Sequence, residues 1–287
     1  MIIVSRFLTV SLSMIACLVL VPGQAGAASE TVLLWPDVPE LSQRNQMGET
    51  SGREKTRVRD VGTPHLIMHL AKDVSKPAPM VIVCPPGGYE KLVPSTVEPI
   101  AAWLNEQGVH VVMLYYRCPT DRYEGAALPD LQRAIRVVRA NARKWKVNPQ
   151  QVGVLGASSG GNLAVRASIF HATNAYGAKG AIDKLSARPD FTILLYPSWL
   201  AHRKEERLEK WVTIPADVPP TVIFTAKDDE HYLSSTIYEA ELRKAGNDVT
   251  GHYYESGGHE FSLPAVGAVA PWPDQCLEWM RGQQLLP

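Results

Sequence analysis

The sequence predicts an α/β fold: a mostly parallel sheet with helices covering both faces. Short apolar runs rich in β-branched residues recur at 66–70, 80–84, 109–115, 152–155, 191–196, 221–225 and 249–254, the pattern of strands. Segments of helical period lie between them, at 97–107, 128–145, 160–171, 234–245 and 275–283. Strands apolar along their whole length are buried on both faces, which a parallel sheet layered between helices provides. Composition agrees. A chain of 287 residues, 45% of them hydrophobic, buries a large core without a disulfide or metal scaffold. With 29 basic and 29 acidic side chains, it has no overall field to attract nucleic acid or an acidic membrane. Small molecules or polysaccharides are the better partners.

The chain opens with one basic residue, Arg6, then an almost wholly apolar run over 7–21, a Pro22-Gly23 break and the small residues Ala25-Gly26-Ala27-Ala28. That is the layout of a secretory signal peptide at 1–27, so a secreted or periplasmic mature chain is expected. The run falls short of the roughly 20 apolar residues that a membrane-spanning helix needs, so no stable membrane anchor is expected. The mature chain, 28–287, reads as one domain without repeats or low-complexity linkers. Its first part, 31–61, should supply antiparallel edge strands, with Leu34-Trp35-Pro36 as an apolar plug. Pro129-Asp130 opens the second helix and Gly246 follows the fourth. Arg133, Arg136, Arg139, Arg143 and Lys144 read as the solvated face of that second helix. The stretch 197–220, with Trp199, Trp211 and the charged run from Arg203 to Arg207, is long for a plain connection and suggests a small cap. Cys84, Cys118 and Cys276 show neither a disulfide framework nor metal-ligand spacing. Cys84 and Cys118 flank apolar runs and read as buried small hydrophobes.

A parallel sheet presents its ligands beyond the carboxyl ends of its strands, so chemistry is sought just after each run. After 152–155 comes Gly156-Ala157-Ser158-Ser159-Gly160, followed by a helix. This is G-x-S-x-G in its strand-turn-helix setting, a turn that lifts the central hydroxyl above the sheet and tolerates little beside it except glycine. Ser158 is the candidate nucleophile. A serine hydroxyl needs an imidazole to take its proton, and the imidazole needs a carboxylate to fix its tautomer. Asp228-Asp229-Glu230 follows the run 221–225, and Gly257-Gly258-His259 follows 249–254. His259 is the expected base. Asp228 is the first choice of acid, with Asp229 as the alternative. His231 stands too near the acid in sequence and reads as a surface residue. Pro85-Pro86-Gly87-Gly88-Tyr89 follows an early strand. Backbone N–H groups of Gly87 or Gly88, with that of Ser159, are the expected oxyanion donors. Tyr89 and Trp199 are candidate substrate contacts. Such chemistry calls for no metal or organic cofactor.

Pro86-Gly87-Gly88-Tyr89, Tyr116-Arg117, Leu128-Pro129-Asp130, the Gly156 to Leu163 segment, Arg188-Pro189-Asp190, Tyr196-Pro197 and Gly257-Gly258-His259 together resemble the acetyl xylan esterase-like α/β-hydrolases. The resemblance extends over 31–285. It implies an α/β-hydrolase fold and serine-dependent removal of acetyl or other short acyl groups from carbohydrates, through an acyl-enzyme. It also implies a structural pairing of Arg117 with Asp130. The chain departs from the family at Pro86, Ala157, Ser159, Asn162, Glu230-His231 and Glu260, which bears on substrate more than on mechanism. The competing readings are a serine peptidase acting on short peptides and a non-catalytic carbohydrate-binding protein on the same scaffold.

Overall fold

The structure is a computed structural model that describes residues 30–35, 49–51, 57–72, 74–122, 125–202 and 204–286. The signal peptide expected at 1–27, Pro36 of the expected plug and Arg203 of the charged run lie outside the described residues.

The strands, in chain order, are β1 (Thr31–Leu33), β2 (Glu49–Ser51), β3 (Arg57–Arg59), β4 (His65–His69), β5 (Ala78–Cys84), β6 (His110–Tyr115), β7 (Val147–Ala157), β8 (Thr192–Leu195), β9 (Ala201–His202), β10 (Arg207–Leu208), β11 (Thr221–Ala226) and β12 (Val249–Tyr254). The α-helices are α1 (Glu98–Glu106), α2 (Ala127–Ala140), α3 (Ala142–Trp145), α4 (Ser159–Ile169), α5 (Tyr232–Lys244) and α6 (Trp272–Gly282). Every apolar run lies on a strand and every period-3.6 segment on a helix. The segment expected as one helix over 128–145 is divided at Asn141 into α2 and α3.

Eight strands form one sheet in the order β1-β4-β6-β5-β7-β8-β11-β12. From β6 to β12 all neighbours are parallel, while β4 and β1 run antiparallel at one edge. The antiparallel edge expected from 31–61 is thus supplied by β1, whereas β2 and β3 pair only with each other. Two cores flank the sheet. One includes side chains of α2, α4 and α5, such as Leu131, Leu163 and Leu242. The other joins α1 and α6 through Ile100, Leu104, Trp272 and Met280. Leu34 is buried and Trp35 packs beside it, its indole N–H donating to Asp130. Asp130 also receives Arg117 at 2.7 Å, which gives the expected structural pair. Burial pushes the Asp130 carboxyl above its ordinary range, against the pull of that guanidinium.

The basic side chains of α2 correct the expectation of a solvated face. Arg133 and Arg136 are buried. Arg133 donates to the Leu34 carbonyl and pairs with Asp183 at 2.7 Å, and Arg136 donates to the Leu185 carbonyl. Arg139 reaches the carbonyls of Pro149, Ser186 and Arg188 and pairs with Asp190. Each guanidinium offers five donors in a fixed fork, so it satisfies carbonyls of irregular backbone that no ladder would pair. The three cysteines in the described residues are free and buried. Burial pushes the thiol of Cys118 up to about 11 and that of Cys276 up to about 12.

Packing is very tight where β7 turns into α4. A Cβ on Gly156 would meet the Gly160 carbonyl oxygen at 2.1 Å, and one on Gly160 would meet the Cys84 carbonyl oxygen at 2.0 Å. Both contacts are backbone on backbone and cannot relax by a rotamer change. Gly156→Ala is therefore expected to destabilise the fold by about 2 kcal/mol or more. Urea denaturation of the variant and the parent checks it.

Candidate active site

Five strands that are neighbours in the sheet, β5, β7, β8, β11 and β12, end at the same edge because they run parallel. Each delivers one part of the site. β7 ends at Ala157, and Ser158 follows with φ 55 and ψ −117, a backbone conformation that L-residues rarely adopt. The turn is strained at this residue. It is held by the Ser158 N–H donating to the Leu195 carbonyl at 3.0 Å and by the Ser158 carbonyl accepting from Asn162 N–H at 3.0 Å.

The Ser158 hydroxyl lies 2.7 Å from His259 Nε2. His259 Nδ1 lies 2.9 Å from Asp229 Oδ2. The acid facing the imidazole is therefore Asp229, not Asp228, which corrects the first choice made from sequence. The reason is local. Adjacent residues on the turn after β11 point in different directions, and Asp229 turns inward, its side chain without solvent exposure. Its second oxygen accepts the His231 N–H at 2.7 Å. Asp228 turns outward and accepts the Gly258 N–H at 2.8 Å and the Gly257 N–H at 3.3 Å. These backbone bonds hold its carboxyl below the ordinary range. One acid touches the ring and its neighbour clasps the turn that carries the ring.

The imidazole is further bounded by aromatic rings. Tyr196 lies edge-on at 4.9 Å and His231 at 5.3 Å between ring centroids. His231 also meets Trp199 at 5.6 Å. The placement of His231 at the surface, expected from its nearness to the acid, is thus overturned: it lines the cavity above Ser158. Sequence offered one signal for it, since a residue two positions after the acid is bound to share the strand end.

That cavity has a volume of about 360 Å³. Ser158, His259, Trp199, His231 and the glycines Gly87 and Gly88 line it, together with charges of both signs, among them Arg57, Arg122, Glu90 and Glu230. The Arg122 guanidinium stacks on Trp199 at 4.1 Å, a cation–π contact. Trp199 is one of the two tryptophans in 197–220, a segment that carries the short β9–β10 hairpin. Trp211 packs instead beside Phe170 against the core.

Two expectations for the loop after β5 change. Tyr89 does not line the cavity. It is buried, its hydroxyl donates to Asn162 Oδ1 at 2.8 Å, and its ring stacks behind Trp199 at 6.4 Å. Among the expected oxyanion donors, the Gly88 N–H is already engaged, donating to Ser159 Oγ at 2.9 Å. The cause is the residue after the elbow serine, whose hydroxyl reaches back to the loop. Ser159 opens α4, so its own N–H belongs to the first turn, where no intrahelical acceptor exists. A further residue escaped the sequence reading. Ser198, just past β8, is buried with its hydroxyl 3.2 Å from that of Ser158. The run 191–196 ends at the same edge of the sheet as the others, and that was the available signal.

The BD-FAE family model matches residues 66–193. An acetylxylan esterase from Xylanibacter ruminicola is 27% identical over 268 residues, covering 81% of this chain and 51% of that protein. Among solved structures, an acetyl ester-xyloside bifunctional hydrolase from Caldicellulosiruptor lactoaceticus superposes with a TM-score of 0.73 at 26% identity, over 90% of this chain and 97% of that one. The chain has an α/β-hydrolase fold and over residues 66–193 is similar to the BD-FAE family. Esterase 2 from Thermogutta terrifontis, at 19% identity and a TM-score of 0.67, covers 88% of this α/β-hydrolase and supports the fold. The chain spans about half the length of the acetylxylan esterase it matches, and 21% of a matching endo-1,4-beta-xylanase B from Butyrivibrio fibrisolvens.

The division of labour between the two acids is open to measurement. In Asp228→Ala the Gly257 and Gly258 amides are expected to exchange with solvent deuterium faster than in the parent. Asp228→Asn, which keeps an acceptor oxygen, should retain part of the protection. Site-resolved hydrogen exchange reads both.

Proposed function

We propose that the protein is a serine esterase that removes short acyl groups, acetyl foremost, from carbohydrate esters. The single observation that carries the reading is the unbroken line from Asp229 through His259 to Ser158, with steps of 2.9 and 2.7 Å. Asp229 Oδ2 accepts the proton on Nδ1, which leaves Nε2 as the acceptor that faces the serine. Ser158 attacks the ester carbonyl while Nε2 takes its proton. The same proton passes to the departing sugar hydroxyl, and the acyl group stays on Oγ. Water then attacks the acyl-enzyme by the same route and releases the acid. The Ser159 N–H, at the positive end of α4, and the Gly87 amide on the cavity wall are suited to hold the oxyanion. Gly88 joins them once its amide leaves Ser159 Oγ.

The cavity supports a sugar ester. An indole faced by a guanidinium, an imidazole and charges of both signs give flat surface and many hydrogen-bonding groups, which match the alternating apolar faces and hydroxyl rims of a sugar ring. The similarity to an acetylxylan esterase and to an acetyl ester-xyloside hydrolase supports the same substrate class. Export belongs to the reading as well, on the strength of the signal-like stretch 1–27.

Ser158→Ala is expected to lower kcat on an acetyl ester on the order of 10⁴- to 10⁶-fold. Asp229→Asn should lower it by about 10⁴-fold, because the amide favours the wrong imidazole tautomer. Asp228→Asn should leave most of the activity. Steady-state hydrolysis of acetylated xylooligosaccharides, with an aminoacyl amide as the competing substrate, checks all three. Turnover by Ser158→Ala close to the parent's, or preference for the amide, overturns the reading.

A further inference from the structure

The Ser158 hydroxyl has more partners than one proton can serve. Its proton is directed to His259 Nε2, because the ring's other nitrogen faces a carboxylate, which only accepts. Yet Ser198 Oγ stands 3.2 Å from the same oxygen. With the Ser158 proton committed, the Ser198 hydroxyl is the donor in this pair.

Ser198 is built into place for that task. It has no solvent exposure. Its N–H donates to the Ser158 carbonyl at 3.2 Å, and its carbonyl accepts from Asn162 Nδ2 at 3.0 Å. It is flanked by Tyr196 with φ 39 and Trp199 with φ 55, two non-glycine residues in the left-handed region. Strained backbone on both sides, secured by bonds to the nucleophile and to the helix behind it, fixes where the hydroxyl points. Among the described residues its hydroxyl has no hydrogen-bond partner other than Ser158 Oγ.

We propose that Ser198 is a further catalytic residue, a hydrogen-bond donor to the reacting oxygen of Ser158. The inference rests on the serine esterase reading. In acylation, the Ser158 proton goes to Nε2, the bond from Oγ to the acyl carbon forms, the bond from the acyl carbon to the sugar oxygen breaks and that oxygen takes the proton from Nε2. In deacylation, a water proton goes to Nε2, the bond from the water oxygen to the acyl carbon forms, the bond from Oγ to the acyl carbon breaks and Oγ recovers the proton from Nε2, which releases the acid. Ser198 transfers no proton in either half. Its hydrogen bond strengthens while Oγ carries negative charge, as incoming nucleophile and as leaving group. It weakens when Oγ is an ester oxygen, which accepts poorly. An interaction stronger near the transition states than in the resting and acylated states accelerates both halves.

Ser198→Ala removes one oxygen atom and tests the inference. Fluorophosphonate labelling of Ser158 and kcat on an acetyl ester should both fall about 10- to 100-fold, the worth of one hydrogen bond to a charged group. KM and the melting temperature should stay at the parent's values. A labelled parent whose Ser198→Ala variant reacts and turns over within twofold of it overturns this inference alone. So does a variant with raised KM and lowered melting temperature at unchanged kcat, which marks Ser198 as loop support. A parent that the fluorophosphonate does not label at Ser158 overturns the serine reading and the role of Ser198 together.

Discussion

The site depends on backbone approaching backbone where side chains are missing. At the start of α4, Gly156, Gly160 and Gly161 let the helix enter between the ends of β5, β7 and β8, with a Cβ on Gly161 brought to 2.9 Å from the Pro197 backbone. That wedge sets the height of Ser158 above the sheet and the distance at which the loops after β5 and β8 pass it. The Gly88 contact with Ser159 and the Ser198 contact with Ser158 are both consequences of this proximity. Larger residues at these positions would move the loops apart before they altered any reacting group.

Around that wedge the parallel register does the gathering. Ser158 and His259 are 101 residues apart in the chain, and His259 and Asp229 are 30 apart. They meet because β7, β8, β11 and β12 are consecutive in the sheet and point the same way. Asn162 then ties the parts together, accepting from Tyr89 after β5 and donating to the Ser198 carbonyl after β8. Movement of either loop is therefore felt by the other through one buried amide.

Much of this was legible in the sequence, for identifiable reasons. Strands buried on both faces show as unbroken apolar runs, and the elbow glycines are demanded by sterics, so the sheet, Ser158 and His259 could be placed by number. The choice between Asp228 and Asp229 could not. Both follow the strand, both are carboxylates, and which of them turns inward depends on the turn's dihedral angles and on the His231 N–H that donates to Asp229. Arg133 and Arg136 misled for a related reason. Their spacing is that of a polar helix face, but the irregular backbone that covers this face carries no periodic signal of its own. Tyr89 was placed near the substrate by its position after the glycines, while its hydroxyl is spent on Asn162.

The three described thiols have a consequence for how the molecule meets a reductant. None is paired and each is enclosed by the core, with burial holding Cys118 and Cys276 as neutral sulfhydryls. Among the described residues no pair of cysteines has to be oxidised to hold this architecture, so a reductant finds no cross-link there to open.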